Sequence, residues 1–447
     1  MSATHNVTVT GYDEALLRLL DLATNDNVVA AAIVAGGTGY TVGDILTVTG
    51  GTVVNSLVAT LEVTSVAAGV IDGIRVFNTG AYSAQPGNPV AVTGGTGGND
   101  ATFNLTFETQ NWVINRNDAS STSNINNVLI AGGTGTQVLE REVLLEGPGN
   151  AGADQIFIGI LEVRDTDIAV FNWQLFGMTG FNTVLALEDQ PGFSYLSPNE
   201  IASFTPLTDG SIECWLHVSP RALSGVFRIG STYTSFYQGF LNPFATPVEF
   251  PYPLYISGST SKWNRSFSAS GPSQSGLADP GAATETGGNT RGPAGARFFD
   301  GQWRYFKNWS FAGTNRTSFQ ERCVYPCRQL IPTFTGYNDA SKFVPNNPTR
   351  QWDGVIPSTG NPGFVQTTIL PTEDSGGDIT VLVPTIVWSS NPSLQILGEI
   401  DSVFWGSTAG NNILSQDRVI VGGIHYRAFQ SSNRTDQFAF FFLREDA

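Results

Sequence analysis

Charge is scarce in this sequence. Asp, Glu, Lys and Arg together fill 13% of its 447 positions, about half the ~25% usual for a soluble protein. Lysine is nearly missing, with Lys262, Lys307 and Lys342 the only three. The net charge is −16 and the few arginines are dispersed, so no basic face exists for a phosphate backbone or an anionic membrane surface. Nucleic acid is therefore excluded as an expected partner. Long apolar runs are absent too. Stretches such as Phe438–Leu443 fall far short of the ~18 residues that a membrane-spanning helix needs. Met1–His5 shows no basic segment leading into an apolar one, so no signal peptide is expected. Cysteine is limited to Cys214, Cys323 and Cys327, an odd set that does not make a disulfide framework. Whether Cys323 and Cys327 form a short bridge stays open. His5, His217 and His425 are the only histidines, too scattered to suggest a catalytic triad.

Glycine, by contrast, occurs 50 times and proline 23 times, while hydrophobic residues reach 41% and aromatic ones 11%. That much apolar surface collapses rather than staying disordered, and the many turn formers between apolar stretches favour β structure. One segment reads as a helix: over Tyr12–Asn25, Leu16, Leu19, Leu20 and Ala23 share one face, and Asp13 is placed to cap it. A helix this short needs a sheet or a partner to pack on.

An internal repeat follows. Residues 36–52 read GGTGYTVGDILTVTGGT and residues 80–96 read GAYSAQPGNPVAVTGGT. The Thr-Gly-Gly-Thr boxes lie 44 apart, and Ala59–Val63 matches Ala101–Leu105 at an offset of 42. A fixed period signals duplicated supersecondary units stacking on each other. The expected fold is mainly β. An N-terminal strand and helix (1–27) pack with the main domain, a duplicated β module of period about 42 (28–112) is inserted after them, and a polar linker (113–127) follows. The remainder, 128–447, is expected to form a large β-sandwich-like domain with long irregular arms at 257–297 and 335–377. Its strands are expected at Val138–Leu145, Gln155–Val163, Ala169–Leu175, Ile212–Val218, Gly225–Ile229, Ile379–Trp388, Gln395–Phe404, Asp417–Phe429 and Gln437–Leu443. Phe236–Leu254, with four prolines, is expected to be a packed connection rather than a central strand.

Residues that could carry chemistry each have a plainer reading. Gly36–Gly39, Gly94–Gly98 and Gly132–Gly135 lack the Gly-Lys-Ser/Thr ending of a phosphate loop and read as turns between strands, with Asp44 bonding local backbone. Cys214-x-x-His217 and Cys323-x-x-x-Cys327 could be written as a zinc site, but a strand sends positions 214 and 217 to opposite faces. Asp165 with Asp167, and Glu399 with Asp401, have the i, i+2 spacing of one strand face but no second cluster facing them. Trp263, Trp303, Trp309 and Trp352 lie in or near the polar arms, where they read as anchors for loops or subunit contacts before they read as sugar platforms. The Asn-x-Ser/Thr triplets at Asn6, Asn104, Asn264, Asn308, Asn315 and Asn433 read as accidents of composition. No catalytic, cofactor-binding or metal-ligating residue is assigned, no cofactor is expected, and the chain is not expected to be an enzyme.

The boxes Gly39–Val48, the following Thr-Gly-Gly-Thr and Asn78-Thr-Gly-Ala-Tyr82 resemble a module that recurs in tail-fibre and other virion proteins of tailed bacteriophages. Leu145–Gly149 with Gln155–Gly159, Tyr237–Leu254, Gly398–Asp401, Val421–Gly423, Asn433–Thr435 and Phe438–Leu443 resemble, more loosely, a family of phage virion structural proteins. In that family a helix like Asp13–Ala23 leads directly into the Gly-Pro-Gly region, so the module looks inserted here. The resemblance implies a structural component of the tail, baseplate or fibre apparatus, made in the host cytoplasm and located in the virion. Its partners would be copies of itself and other virion proteins, with host surface glycan as a further candidate. A capsid decoration or head-fibre protein, and a receptor-binding or glycan-degrading tail protein, are the alternatives.

Overall fold

The computed structural model describes residues 2–119, 137–149, 155–165, 170–194, 203–242, 254–259, 291–297, 303–307, 324–327, 382–389, 395–405, 413–430 and 440–446. The chain is mainly β, with Tyr12–Thr24 the one α-helix among the described residues. Two antiparallel sheets face each other. One is a five-stranded meander of Val113–Asp118, Gln137–Gly147, Ile156–Asp165, Val170–Met178 and Ser203–Leu207. The other has seven strands, in the order Ala3–Thr10, Ser211–Ser219, Ala222–Ile229, Thr232–Phe240, Leu254–Ser257, Arg291–Arg297 and Trp303–Lys307.

The alternation of each strand builds the core between them. Ile156, Ile158 and Ile160 from the first sheet meet Cys214, Leu216 and Val218 from the second, with Trp173 packed edge-on against Phe227 at 5.1 Å and Phe236 at 5.5 Å. Gln238 stands among these apolar groups, and its amide nitrogen donates to the carbonyls of Gly159 and Phe176, both at 3.0 Å, which meets the hydrogen-bonding need of that buried donor. The helix lays Leu16, Leu19, Leu20 and Ala23 into the same core. Its N-terminus differs from expectation, because Asp13 makes no cap. Gly11 occupies the cap position at φ 86° and donates to the Gly210 carbonyl at 2.8 Å, while Glu14 accepts from the Thr10 N–H at 2.7 Å.

A third layer covers the outer face of the seven-stranded sheet. It holds Val324–Cys327, Val383–Ser389, Gln395–Trp405, Phe440–Arg444, Ile424–Gln430 and Arg418–Val421 in that order. Phe429 meets Trp215 at 4.9 Å and Tyr233 at 6.0 Å, and Phe441 stacks behind it at 5.5 Å. The segment 417–429 is a hairpin rather than one strand: Gly422 and Gly423, at φ 60° and 82°, form the two-residue turn that suits the twist of the flanking strands.

Residues 26–109 form an eight-stranded sheet with a core of their own. Asp26–Thr38 pairs antiparallel with Asn99–Thr109 from Asp26 opposite Thr109 to Thr38 opposite Asn99, so both ends of the unit leave side by side, as an insertion requires. Val48 pairs directly with Val92, its counterpart in the repeat, which puts a local two-fold axis between them. Leu46 opposite Leu61 is matched by Val90 opposite Phe103, and Thr47 opposite Thr60 by Ala91 opposite Thr102. Tyr40 and Tyr82, Ala59 and Ala101, and Val63 and Leu105 are further matched pairs in the core.

Three further expectations need correction. Val113–Asp118, expected within the linker, is the edge strand of the five-stranded sheet, with Arg116 bonded to the fully buried Glu142 at 2.6 Å. Cross-strand pairing overrides the turn preference of its Asn and Asp residues. Thr232–Phe240 is a central strand, and Phe236 and Tyr237 are completely buried. All four prolines of the 236–254 segment follow it in the chain, so its ladder hydrogen bonds are intact. The first expected arm, 257–297, is irregular at neither end: it starts from the strand Leu254–Ser257 and finishes in the strand Arg291–Arg297, and the two pair. Residues 260–290, the second arm at 335–377 and the rest of the linker from 120 lie outside the described residues.

Candidate functional site

Cys214 and His217 do point to opposite faces. Cys214 sits in the sandwich core, where burial pushes its thiol well above the usual range, and His217 lies under the third layer. Cys323 and the side chain of Cys327 are outside the described residues, and among those described no group of His, Cys, Asp or Glu is arranged to hold a metal. Asp167, the Asp165 side chain, Trp263, Trp309, Trp352 and Gly132–Gly135 also lie outside. Trp303 packs on the edge of the sandwich core and donates its indole N–H to the Gly192 carbonyl at 3.1 Å. The Gly36–Gly39 and Gly94–Gly98 stretches are clasped together by Asp44. Its carboxylate accepts the N–H groups of Thr41 and Thr96 at 3.0 and 3.1 Å and both threonine hydroxyls. Burial opposes that charge, the hydrogen bonds outweigh it, and the carboxyl is held below its ordinary range.

Two further clusters of polar groups lie at seams between sheets. The first joins the seven-stranded sheet to the third layer. Here Asp401 accepts from the Ser219 hydroxyl at 3.0 Å and the Asn242 amide at 3.2 Å, with His217 Nε2 at 4.0 Å. Asn242 and Glu399 exchange two backbone hydrogen bonds, each 2.8 Å. Burial opposes the Asp401 charge, but neighbouring His217, the two side-chain hydrogen bonds and Arg221 outweigh it and hold the carboxyl below its usual value. His217 is fully buried, and burial keeps its pKa low despite Asp401. The serine donates to the carboxylate rather than to the imidazole, which is not the order of a nucleophile–base relay. These groups lock two layers together. For Glu399, expected to share a face with Asp401, burial and the Asp401 charge raise the carboxyl pKa.

The second seam docks the inserted unit. On one side, Leu57 and Ala81 join the sandwich core beside His5. On the other, Glu62 accepts from Arg75 at 2.7 Å and from Arg418 at 2.7 and 2.9 Å, and Arg418 also reaches Glu445 at 2.7 Å. The Arg75 and Arg418 guanidinium groups lie over the Phe77 ring, at 5.4 and 4.9 Å from its centre. Some of the scarce charges thus pair where separately built sheets meet, beside pairs inside one sheet such as Arg116–Glu142 and Arg141–Glu162. Only the separation of Arg418 from Glu62 by 356 positions in the chain hid their pairing from the sequence. The chain matches no protein-family model and no curated protein.

Proposed function

We propose that this chain is a structural subunit of a tailed-bacteriophage virion, part of the tail, baseplate or fibre apparatus, working through assembly with copies of itself and with other virion proteins. The observation that carries the reading is the use made of the polar clusters. Asp401 with Ser219 and Asn242, and Glu62 with Arg75 and Arg418, hold one sheet against another, which is the chemistry of a rigid building block. The duplicated unit with adjacent ends is a part that can be added to a subunit without disturbing its sandwich. The edge strand Val113–Asp118 exposes Val113 and Ile114, and an exposed apolar edge is where another chain can continue a sheet. The acidic balance suits a position away from the packaged genome.

The test is immunogold electron microscopy of gradient-purified particles with antibody against the recombinant chain. Label on the tail, its tip or its fibres is the expected result. Label over the head replaces it with the decoration reading, and absence of the protein from intact particles by mass spectrometry overturns the virion assignment.

A further inference from the structure

The inserted unit meets the N-terminal strand along a short row of hydrogen bonds. The Asn6 N–H donates to Asn78 Oδ1 at 2.8 Å, and the N–H and hydroxyl of Thr79 donate to the Thr4 carbonyl at 2.9 and 3.0 Å. The last member of the row is the Gly80 N–H, which donates to Nδ1 of His5 at 3.3 Å. A ring nitrogen that accepts a hydrogen bond carries no proton, and a protonated imidazole has donors at both nitrogens. A proton on this ring therefore sets an N–H against the Gly80 N–H.

Gly80 has no room to yield. It sits at φ 65°, a Cβ there would lie 2.6 Å from the Ala59 nitrogen and 2.9 Å from the Leu57 carbonyl oxygen, and its own carbonyl accepts from Asn27 at 2.7 Å. His5 is 6% exposed, so water cannot readily stabilise a charge on it. The strand on its other side places Leu216 opposite it. The helix brings Arg18, whose cation bears on the ring and is itself paired with Glu14 and, at 3.9 Å, with Asp21. The groups that the inserted unit presents along this row are amides and a hydroxyl.

We propose that His5 is an acid-operated latch: a proton on its ring opens the row joining Thr4–Asn6 to Asn78–Gly80 and loosens the inserted unit from the sandwich. Burial first, and Arg18 second, push the pKa of His5 down to about 4, so the latch is closed at neutral pH and opens in acid. The paired ends at Asp26 and Thr109 keep the unit attached while it moves.

Three histidines give three ring signals in the full-length chain labelled at histidine 13Cε1, and His5→Asn assigns the first, since an asparagine Oδ1 can accept in place of Nδ1 without titrating. Amide exchange, corrected for its intrinsic pH dependence, is followed from about pH 7.5 down to about pH 3, so that the transition is seen on both sides of its midpoint. The expected result is a loss of protection at Thr79 and Gly80 of roughly tenfold or more, with the midpoint of the His5 titration. Leu46 and Leu61 inside the unit keep their protection, and H5N abolishes the loss. Titration of His5 with Gly80 still protected overturns the proposal, as does an equal loss in H5N. If H5N does not fold, the wild-type midpoints decide: coincidence upholds the latch, and separation overturns it.

Discussion

The inserted unit and the sandwich are both antiparallel β structures, but they close in different ways. In the unit, Thr60–Ala67 pairs with the next strand, Val70–Asn78, and the two repeat copies meet at Val48 and Val92. In the sandwich, Ala3–Thr10 pairs with Ser211–Ser219, and Asn6 bonds to the Cys214 carbonyl across 208 positions. The unit closes over at most 83 positions, from Asp26 to Thr109, whereas the sandwich depends on closing a longer loop that contains the whole unit. That is tolerable because closure entropy grows only with the logarithm of loop length, and because the paired ends of the unit bring the two sides of the insertion together.

This contrast predicts separable stabilities. Trp173→Ala empties the centre of the sandwich core and is expected to destabilise it by ~3–5 kcal/mol, moving the denaturant midpoint followed by exchange of Ile158 and Leu216 while Leu46 and Leu61 hold. Phe103→Ala, in the core of the unit, should have the opposite pattern at a similar or slightly smaller magnitude of ~3 kcal/mol. Equal effects of both variants on both regions would show one cooperative body and break the comparison.

The seam sharpens it. The folded-state pKa of His5 is about 4, below its ordinary value of 6.5, so the unfolded chain binds more protons between the two. Its contribution to stability is complete above about pH 6.5 and is lost as the pH falls through that window to about 4, amounting to about 3 kcal/mol at ~1.4 kcal/mol per pH unit. Denaturant titrations at stepped pH should show this slope in the wild type and a flatter one in H5N. The smallest effect is expected from Arg418→Ala, which removes a partly exposed partner of Glu62 and Glu445. A loss of ~1 kcal/mol, shrinking in high salt, should register in the exchange of Arg75 and Phe77 amides but not of Ile158.

Some features were legible because their causes are local. The Thr-Gly-Tyr and Thr-Gly-Gly-Thr boxes carry the turns that define the repeat, and the helix face of Leu16, Leu19 and Leu20 follows from periodicity alone. Parity along Ser211–Ser219 was enough to separate Cys214 from His217. The strand Thr232–Phe240 was obscured because the prolines that follow it dominate the composition of the segment, and Val113–Asp118 because its Asn and Asp residues look like a loop until Gln137–Gly147 pairs with them. The Asp401 centre gave only the Glu399–Asp401 spacing as a signal. Ser219, which holds Asp401, belongs to another sheet, and Asn242 to the chain that follows Thr232–Phe240.

The amino-acid order by itself determined the β-rich character, the duplication, the helix and the scarcity of charge, since each depends on propensity, period or composition within a few residues. Only the tertiary structure decided that three sheets stack, that Arg418 meets Glu62 where two sheets join, and that the His5 ring accepts a hydrogen bond from the Gly80 N–H. Those outcomes depend on burial and on which distant backbone lies opposite, and neither is encoded in any local stretch of chain.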